Sequence, residues 1–100
     1  SRINPADPLF RTNQEHMRRL VAGLREQLER ARLGGGPKYV ERHRALGKLP
    51  VRERLERLLD PQTPFLELSP LAATGMYDDE APGAGLVTGV GRVAGREVLV

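Results

Sequence analysis

Glycine and proline cut the first sixty residues into three pieces, and this punctuation limits the fold more than any other feature of the chain. Gly34-Gly35-Gly36-Pro37 closes one stretch, Gly47 and Pro50 bracket a second boundary, and Asp60-Pro61 closes a third. Glycine suits the exit from a helix and proline its first turn, so the pattern predicts three consecutive helices. Residues 1–10, with Pro5 and Pro8, read as an extended lead-in. Thr12-Asn13-Gln14-Glu15 has the form of a capping box and predicts the first helix start. Behind it Met17, Leu20, Val21, Leu24, Leu28 and Ala31 recur at spacings of three and four, one apolar stripe on a helix. Glu26 and Arg30, four apart, are in the favourable order for an ion pair. A helix of about twenty residues is roughly 30 Å long, and so narrow a stripe predicts that it lies along another surface, either the body of its own protein or a partner subunit.

The second predicted helix begins at Pro37, with Tyr39, Val40, His43 and Leu46 as a weak apolar side. The third is opened by Pro50, with Val51, Leu55, Leu58 and Leu59 as its buried side. Pro64-Phe65-Leu66-Glu67-Leu68 predicts a short strand, and residues 70–85 a loop with a solvated acidic tip, Asp78-Asp79-Glu80. From Leu86 the texture becomes β-rich. Leu86–Val93 and Arg96–Val100 predict two strands around a tight turn at Ala94-Gly95, with Gly89 and Gly91 on one face where something approaches the backbone closely. The order is helix, helix, helix, strand, loop, hairpin: an α/β fold. The chain starts at Ser1 and stops within a predicted strand, from which a fragment is expected.

The residues narrow the chemistry mostly by exclusion. There is no cysteine, hence no disulfide scaffold, thiolate zinc site or cysteine nucleophile within these residues, a composition that fits an intracellular protein. No apolar run approaches the roughly 20 residues of a membrane span, and no signal pattern opens the chain. Ser1 and Ser69 sit in no nucleophile-elbow pattern. His16 and His43 fall on different helices without a third ligand, and neither Gly83-Ala84-Gly85 nor Gly89-Val90-Gly91 has the context of a phosphate loop.

Charge is uneven. Residues 11–57 hold thirteen Lys or Arg against six Asp or Glu, and residues 58–100 hold two against six. The basic half carries either ordinary solvated helix faces or a field for phosphates. Within it Lys48 precedes the third helix, and Arg52 and Arg54 lie in its first turns. Cations at that end oppose the helix dipole by a few tenths of a kcal/mol, which a bound anion would offset. Alternatively Glu53, Glu56 or Asp60 neutralises the arginines locally.

Three blocks, GGGPKYVERHRALGKLPVRERLERLLDP, TPFLELSPLAATGMYDDEAPGAG and LVTGVGRVAGREVLV, together resemble the start of the carboxyltransferase (β) subunit of biotin-dependent acyl-CoA carboxylases. The GMYDDEAPGAG segment is similar to the methylcrotonyl-CoA type. The resemblance covers about residues 10–100. It implies the N-terminal part of a crotonase-like (ClpP/crotonase) carboxyltransferase domain, with residues 1–36 an N-terminal extension bearing the amphipathic helix and residues 37–100 the incomplete start of the acyl-CoA carboxyltransferase domain. It implies transfer of a carboxyl group from carboxybiotin to an acyl-CoA, as in leucine degradation, with propionyl-, acetyl- or geranyl-CoA as alternative acceptors. Biotin is implied on a biotin carboxylase/biotin carrier partner subunit, and the β subunits in a homo-oligomeric, hexameric core. A bacterial cytoplasm is implied rather than a mitochondrial matrix. No catalytic residue and no metal ligand is expected in this segment, because the enolate-stabilising backbone N–H groups of the family lie downstream. Lys48, Arg52 and Arg54 become the expected contacts to the coenzyme A phosphates. Two other readings stand beside this one. The helix of residues 13–33 is an assembly element, or the basic half is a nucleic-acid-binding module, although it lacks aromatic platforms and a recognised motif.

Overall fold

A computed structural model describes residues 2–100. Its elements run α1 (Pro8–Arg32), α2 (Pro37–Ala45), α3 (Val51–Leu58), β1 (Leu66–Leu68), a single 3-10 turn (Tyr77–Asp79), β2 (Thr88–Val93) and β3 (Arg96–Leu99). The three helices, the strand and the hairpin come in the order that the punctuation predicts.

The first helix starts earlier than the Thr12 capping box implies. Asp7, in extended backbone, caps it, its carboxylate accepting from the Leu9 N–H at 2.8 Å, and Pro8 takes the first helical position. An aspartate cap followed by a proline already fixed in helical φ outcompetes a cap five residues on. Thr12 is therefore inside the helix and its hydroxyl donates to the Pro8 carbonyl at 3.0 Å. The lead-in expected over residues 1–10 is thus helical from Pro8. Glu26 and Arg30 do not pair. Arg19 meets Glu15 at 3.6 Å and Arg32 meets Glu29 at 3.2 Å, both in solvent and worth a few tenths of a kcal/mol at most. At 25 residues the helix is about 37 Å long, and its stripe is open: Leu20 is 55% exposed, with Met17 and Leu24 alike.

Pro37 opens α2 as expected, and the ring Nε2 of His43 donates to the Leu49 carbonyl at 3.2 Å, bracing the turn into α3. The buried arc of α3 is rolled from the one its leucines predict. Leu55 and Leu59 are half-buried, but Val51 and Leu58 are 45% and 49% exposed. Arg52 lies on the covered side instead, drawn onto the sheet by Glu67.

The sheet is antiparallel in the order β1-β2-β3, with Leu66 opposite Val90 and Val90 opposite Leu99. Period-2 alternation sends Phe65, Glu67, Gly89, Gly91 and Val98 to the face under α3, and Leu66, Val90 and Leu99 to the other. A Cβ on Gly89 would overlap the Phe65 ring and lie 2.5 Å from the Leu66 carbonyl oxygen; on Gly91 it would lie 2.5 Å from Leu59 Cδ2. Phe65 and Leu59 thus occupy the space that the two glycines leave, the close approach their spacing predicts. The hairpin turns on Ala94 and Gly95, both at left-handed φ (51° and 77°), the signature of the two-residue turn that matches strand twist. Asp60 ties this turn to the end of α3: its two carboxylate oxygens accept from the N–H groups of Ala94 and Gly95, each at 2.8 Å, while its own N–H donates to the Arg92 carbonyl at 2.8 Å. The loop between β1 and β2 folds around Ala73, 2% exposed, whose N–H donates to the Pro82 carbonyl. Its acidic tip is exposed, and Asp79 there accepts from the Gly75 N–H.

Candidate functional site

The site grows from the first turn of α3. Pro50, extended, leaves its carbonyl to accept the Arg54 N–H at 3.1 Å, and the helix places Arg52 over the inner face of β1. There Arg52 Nη1 and Nη2 donate to Glu67 Oε2 and Oε1 at 3.0 and 2.9 Å, a bidentate pair with the two side chains 29% and 18% exposed. The Arg52 hydrogen bonds hold the Glu67 carboxyl below the usual carboxylate range. Burial opposes them, and the charges of Arg52 and Arg32 add to the lowering.

Of the three cations expected at an anion site, the structure draws Arg52 inward onto Glu67 and leaves Lys48 and Arg54 exposed, in no ion pair among the described residues. Local neutralisation takes a different form from the one the sequence offers. Glu53 pairs with Arg44 of α2, Asp60 caps the hairpin turn, and the partner of Arg52 is Glu67, fifteen residues on. Period-2 alternation places Glu67 beside Phe65 and opposite Leu66 and Leu68, which is the signal that would have found it. Asp60 had no such signal, since its partners lie 34 and 35 positions away.

A cleft of about 320 Å³ opens beside this pair, between the end of α1 (Leu33, Gly34), the start of α3 (Pro50, Val51) and the loop at Pro82 and Val87. Its walls are mostly apolar, with Arg32, Arg52 and Glu67 as the charged groups. Arg52 is held by Glu67 and Arg32 by Glu29, and the guanidinium N–H groups outside those pairs are donors at an apolar wall, an arrangement suited to an apolar group with a hydrogen-bond-accepting end. Among the described residues no three His, Asp or Glu side chains gather as a metal site, and no helix is long and apolar enough to cross a membrane.

Comparison with known proteins gives this geometry a family. The biotin-dependent 3-methylcrotonyl-coenzyme A carboxylase beta1 subunit of Mycobacterium tuberculosis is 59% identical over 86 residues, which is 86% of this chain and 16% of that protein. The crystal structure of the geranyl-CoA carboxylase beta subunit of P. aeruginosa superposes with a TM-score of 0.76 at 35% identity, covering 99% of this chain and 18% of that one. Transcarboxylase 12S, solved as a hexamer assembly with methylmalonyl-coenzyme A and methylmalonic acid bound, superposes with a TM-score of 0.67 at 38% identity over 83% of this chain and 17% of its own. This chain therefore spans about one sixth of the length of such relatives. Its helices and three-stranded sheet have the α/β, crotonase-like fold class of carboxyltransferase β subunits. The carboxyl transferase domain model matches residues 42–100, from the second half of α2 through the hairpin, and the chain belongs to that family.

Proposed function

We propose that this chain is a segment of a carboxyltransferase β subunit that moves a carboxyl group from carboxybiotin to an acyl-CoA, with 3-methylcrotonyl-CoA as the acceptor. The single observation that carries the acceptor is the 59% identity to a 3-methylcrotonyl-coenzyme A carboxylase subunit; propionyl-, acetyl- and geranyl-CoA are the competing acceptors. In this reading residues 37–100 begin the acyl-CoA carboxyltransferase domain and residues 1–36 extend it. Biotin arrives on a biotin carboxylase/biotin carrier subunit, and the β subunits form a hexameric core. Turnover of purified full-length enzyme on the four acyl-CoA thioesters tests the acceptor. A kcat/KM highest for 3-methylcrotonyl-CoA supports it, and a preference for any other thioester overturns it.

The contribution of these residues is to hold substrate, and the chemistry of coenzyme A fits what they present. Its phosphates need cations, and Lys48 and Arg54 are exposed and in no ion pair among the described residues. Arg52 is fixed by Glu67, with three of its five N–H groups outside that pair, so it supplies a positioned charge. The neighbouring cleft takes apolar groups beside that charge. In the full-length enzyme, Lys48→Glu, Arg52→Glu and Arg54→Glu are each expected to raise KM for the acyl-CoA about tenfold, the equivalent of ~1.4 kcal/mol, with kcat retained. An unchanged KM in a folded variant removes that residue from the phosphate contact.

A further inference from the structure

Glu67 occupies only one edge of the Arg52 guanidinium. Nη1 and Nη2 each donate one hydrogen bond to its carboxylate, at 3.0 and 2.9 Å. A guanidinium is planar and carries five N–H groups in a fixed fork. With the Nη1–Nη2 edge taken, Nε–H and the outward N–H of the neighbouring Nη make a second two-donor edge in the same plane. Arg52 Nε donates to no acceptor among the described residues. Such an edge matches two oxygens of one phosphate. Arg52 also stands in the wall of the cleft of about 320 Å³, at the helix start that carries the exposed Lys48 and Arg54.

We propose that Glu67 is a positioning residue for substrate binding: it holds one edge of Arg52 so that the other edge takes a coenzyme A phosphate through two parallel hydrogen bonds. This role rests on the coenzyme A contact proposed for Arg52, and it names the group that makes that contact effective. Glu67 is suited to it because it is itself fixed. It lies in β1, directly opposite Gly89 of β2, and its side chain is 18% exposed. The other arginines in ion pairs, Arg19, Arg32, Arg44 and Arg92, are about half-exposed or more, and none is hydrogen-bonded to a carboxylate through two nitrogens. A long arginine side chain has many rotamers to lose when it binds a ligand. Arg52 has already lost them to Glu67, whereas Lys48 and Arg54 have not.

Charge alone predicts the opposite sign for the loss of Glu67. It is an anion, and removing it from beside a phosphate site relieves repulsion and tightens binding. Positioning predicts weaker binding, because a released Arg52 must be ordered each time the ligand binds. The ligand phosphate lies on the far edge of the guanidinium, with the cation between it and Glu67, so repulsion is the smaller effect. The direction of the change therefore separates a positioning residue from a mere neighbouring charge.

The test is titration calorimetry of coenzyme A into the purified full-length protein and four variants. Glu67→Gln is expected to raise Kd about fivefold although it removes a negative charge. Glu67→Asp keeps the charge, draws the carboxylate back by one methylene and is expected to raise Kd by a smaller factor, so a Gln variant that fails to fold does not end the test. Arg52→Lys keeps the cation but has no second edge, and a rise of about tenfold is expected. Glu56→Gln removes the same charge from an exposed site on the same helix, and its Kd is expected to stay level or fall. Tighter or unchanged binding in both Glu67 variants would overturn the proposal and leave the Arg52 contact standing. An unchanged Kd in Arg52→Lys would show that the second edge serves the protein's own chain, and a rise in Glu56→Gln equal to that in Glu67→Gln would show a general loss of structure; either result overturns the proposal. A parent protein that does not bind coenzyme A overturns the substrate reading itself, and the proposal with it.

Discussion

Arg52 and Glu67 are fifteen positions apart, and local sequence gives neither a reason to find the other. An eight-residue helix set on a three-stranded sheet brings one basic and one acidic side chain within reach, and their pairing then fixes how the helix is rolled. Hydrogen bonds to charged groups of this kind contribute about 1.5–3 kcal/mol. The pH dependence follows from the lowered carboxyl of Glu67. A group whose folded pKa is depressed stabilises above its unfolded value, about 4.3 for glutamate, and that contribution is lost as pH falls through the folded value. Glu67→Gln is therefore expected to lower stability by about 1.5–3 kcal/mol at pH 7, with the gap to the parent narrowing as pH falls below about 4.3. Urea titrations of the full-length protein at pH 7 and pH 3.5 check this, and a gap of equal size at both would show that the pair does not act through its charge. The glycines were more legible than the ion pair. Two of them on one strand face announce a close approach, and the structure supplies Phe65 and Leu59. Gly89→Ala is expected to cost about 1–3 kcal/mol and more than Gly91→Ala, because the Leu66 backbone oxygen at Gly89 yields less than the Leu59 methyl at Gly91. Differential scanning calorimetry of the two variants ranks them.

At the scale of elements, periodicity and punctuation recovered where helices and strands occur but not how each is seated. The start of α1 departs from the sequence pattern because Thr12-x-x-Glu15 satisfies the capping pattern while Asp7-Pro8 satisfies the geometry sooner. Asp7→Ala is accordingly expected to cost about 1 kcal/mol of helix stability and Thr12→Ala much less, read as hydrogen-exchange protection over the first turns of α1. The seating of α3 shows the same limit. Its leucines define an apolar arc, yet the ion pair at one edge rolls the helix so that Leu55 and Leu59 face the sheet and Leu58 does not. Apolar pattern fixes an arc of contact; a specific polar pair at its margin chooses the centre. Leu59→Ala should lower stability by about 1–3 kcal/mol and Leu58→Ala by well under 1 kcal/mol, a difference that chemical denaturation resolves. The same limit holds for the cations of the candidate site. Sequence places Lys48, Arg52 and Arg54 at one helix start, whereas only the sheet beneath decides that Arg52 is drawn in and the other two face solvent.

The whole molecule is extended where a self-sufficient domain is compact. Its radius of gyration is 18.3 Å, with extents of 57 × 38 × 18 Å, against about 13 Å for a compact domain of 100 residues. Among the described residues the three strands are the elements whose backbones lie most closely side by side. Ala73 is the single hydrophobic side chain fully covered among the described residues, while Met17, Leu20 and Leu24 on α1 and Leu66 and Leu99 on the outer sheet face are open. At about 25 cal/mol per Å² of apolar surface removed from water, half-exposed leucines offset little of the roughly 1–2 kcal/mol per residue that ordering the backbone costs. Such a chain draws its stability from surface that covers it, whether from further chain or from another subunit, and its span of one sixth of its relatives accords with that. The isolated hundred residues are thus expected to show helical circular dichroism without a cooperative urea transition, whereas within the full-length protein the same segment unfolds in the global step. Hydrogen exchange followed by mass spectrometry distinguishes the cases: protection of β2 and the second half of α1 in the full-length protein, and its loss in the isolated segment, is the expected result. Equal protection in both would mean that the hairpin, Asp60 and the Arg52–Glu67 pair are sufficient to hold the fold on their own.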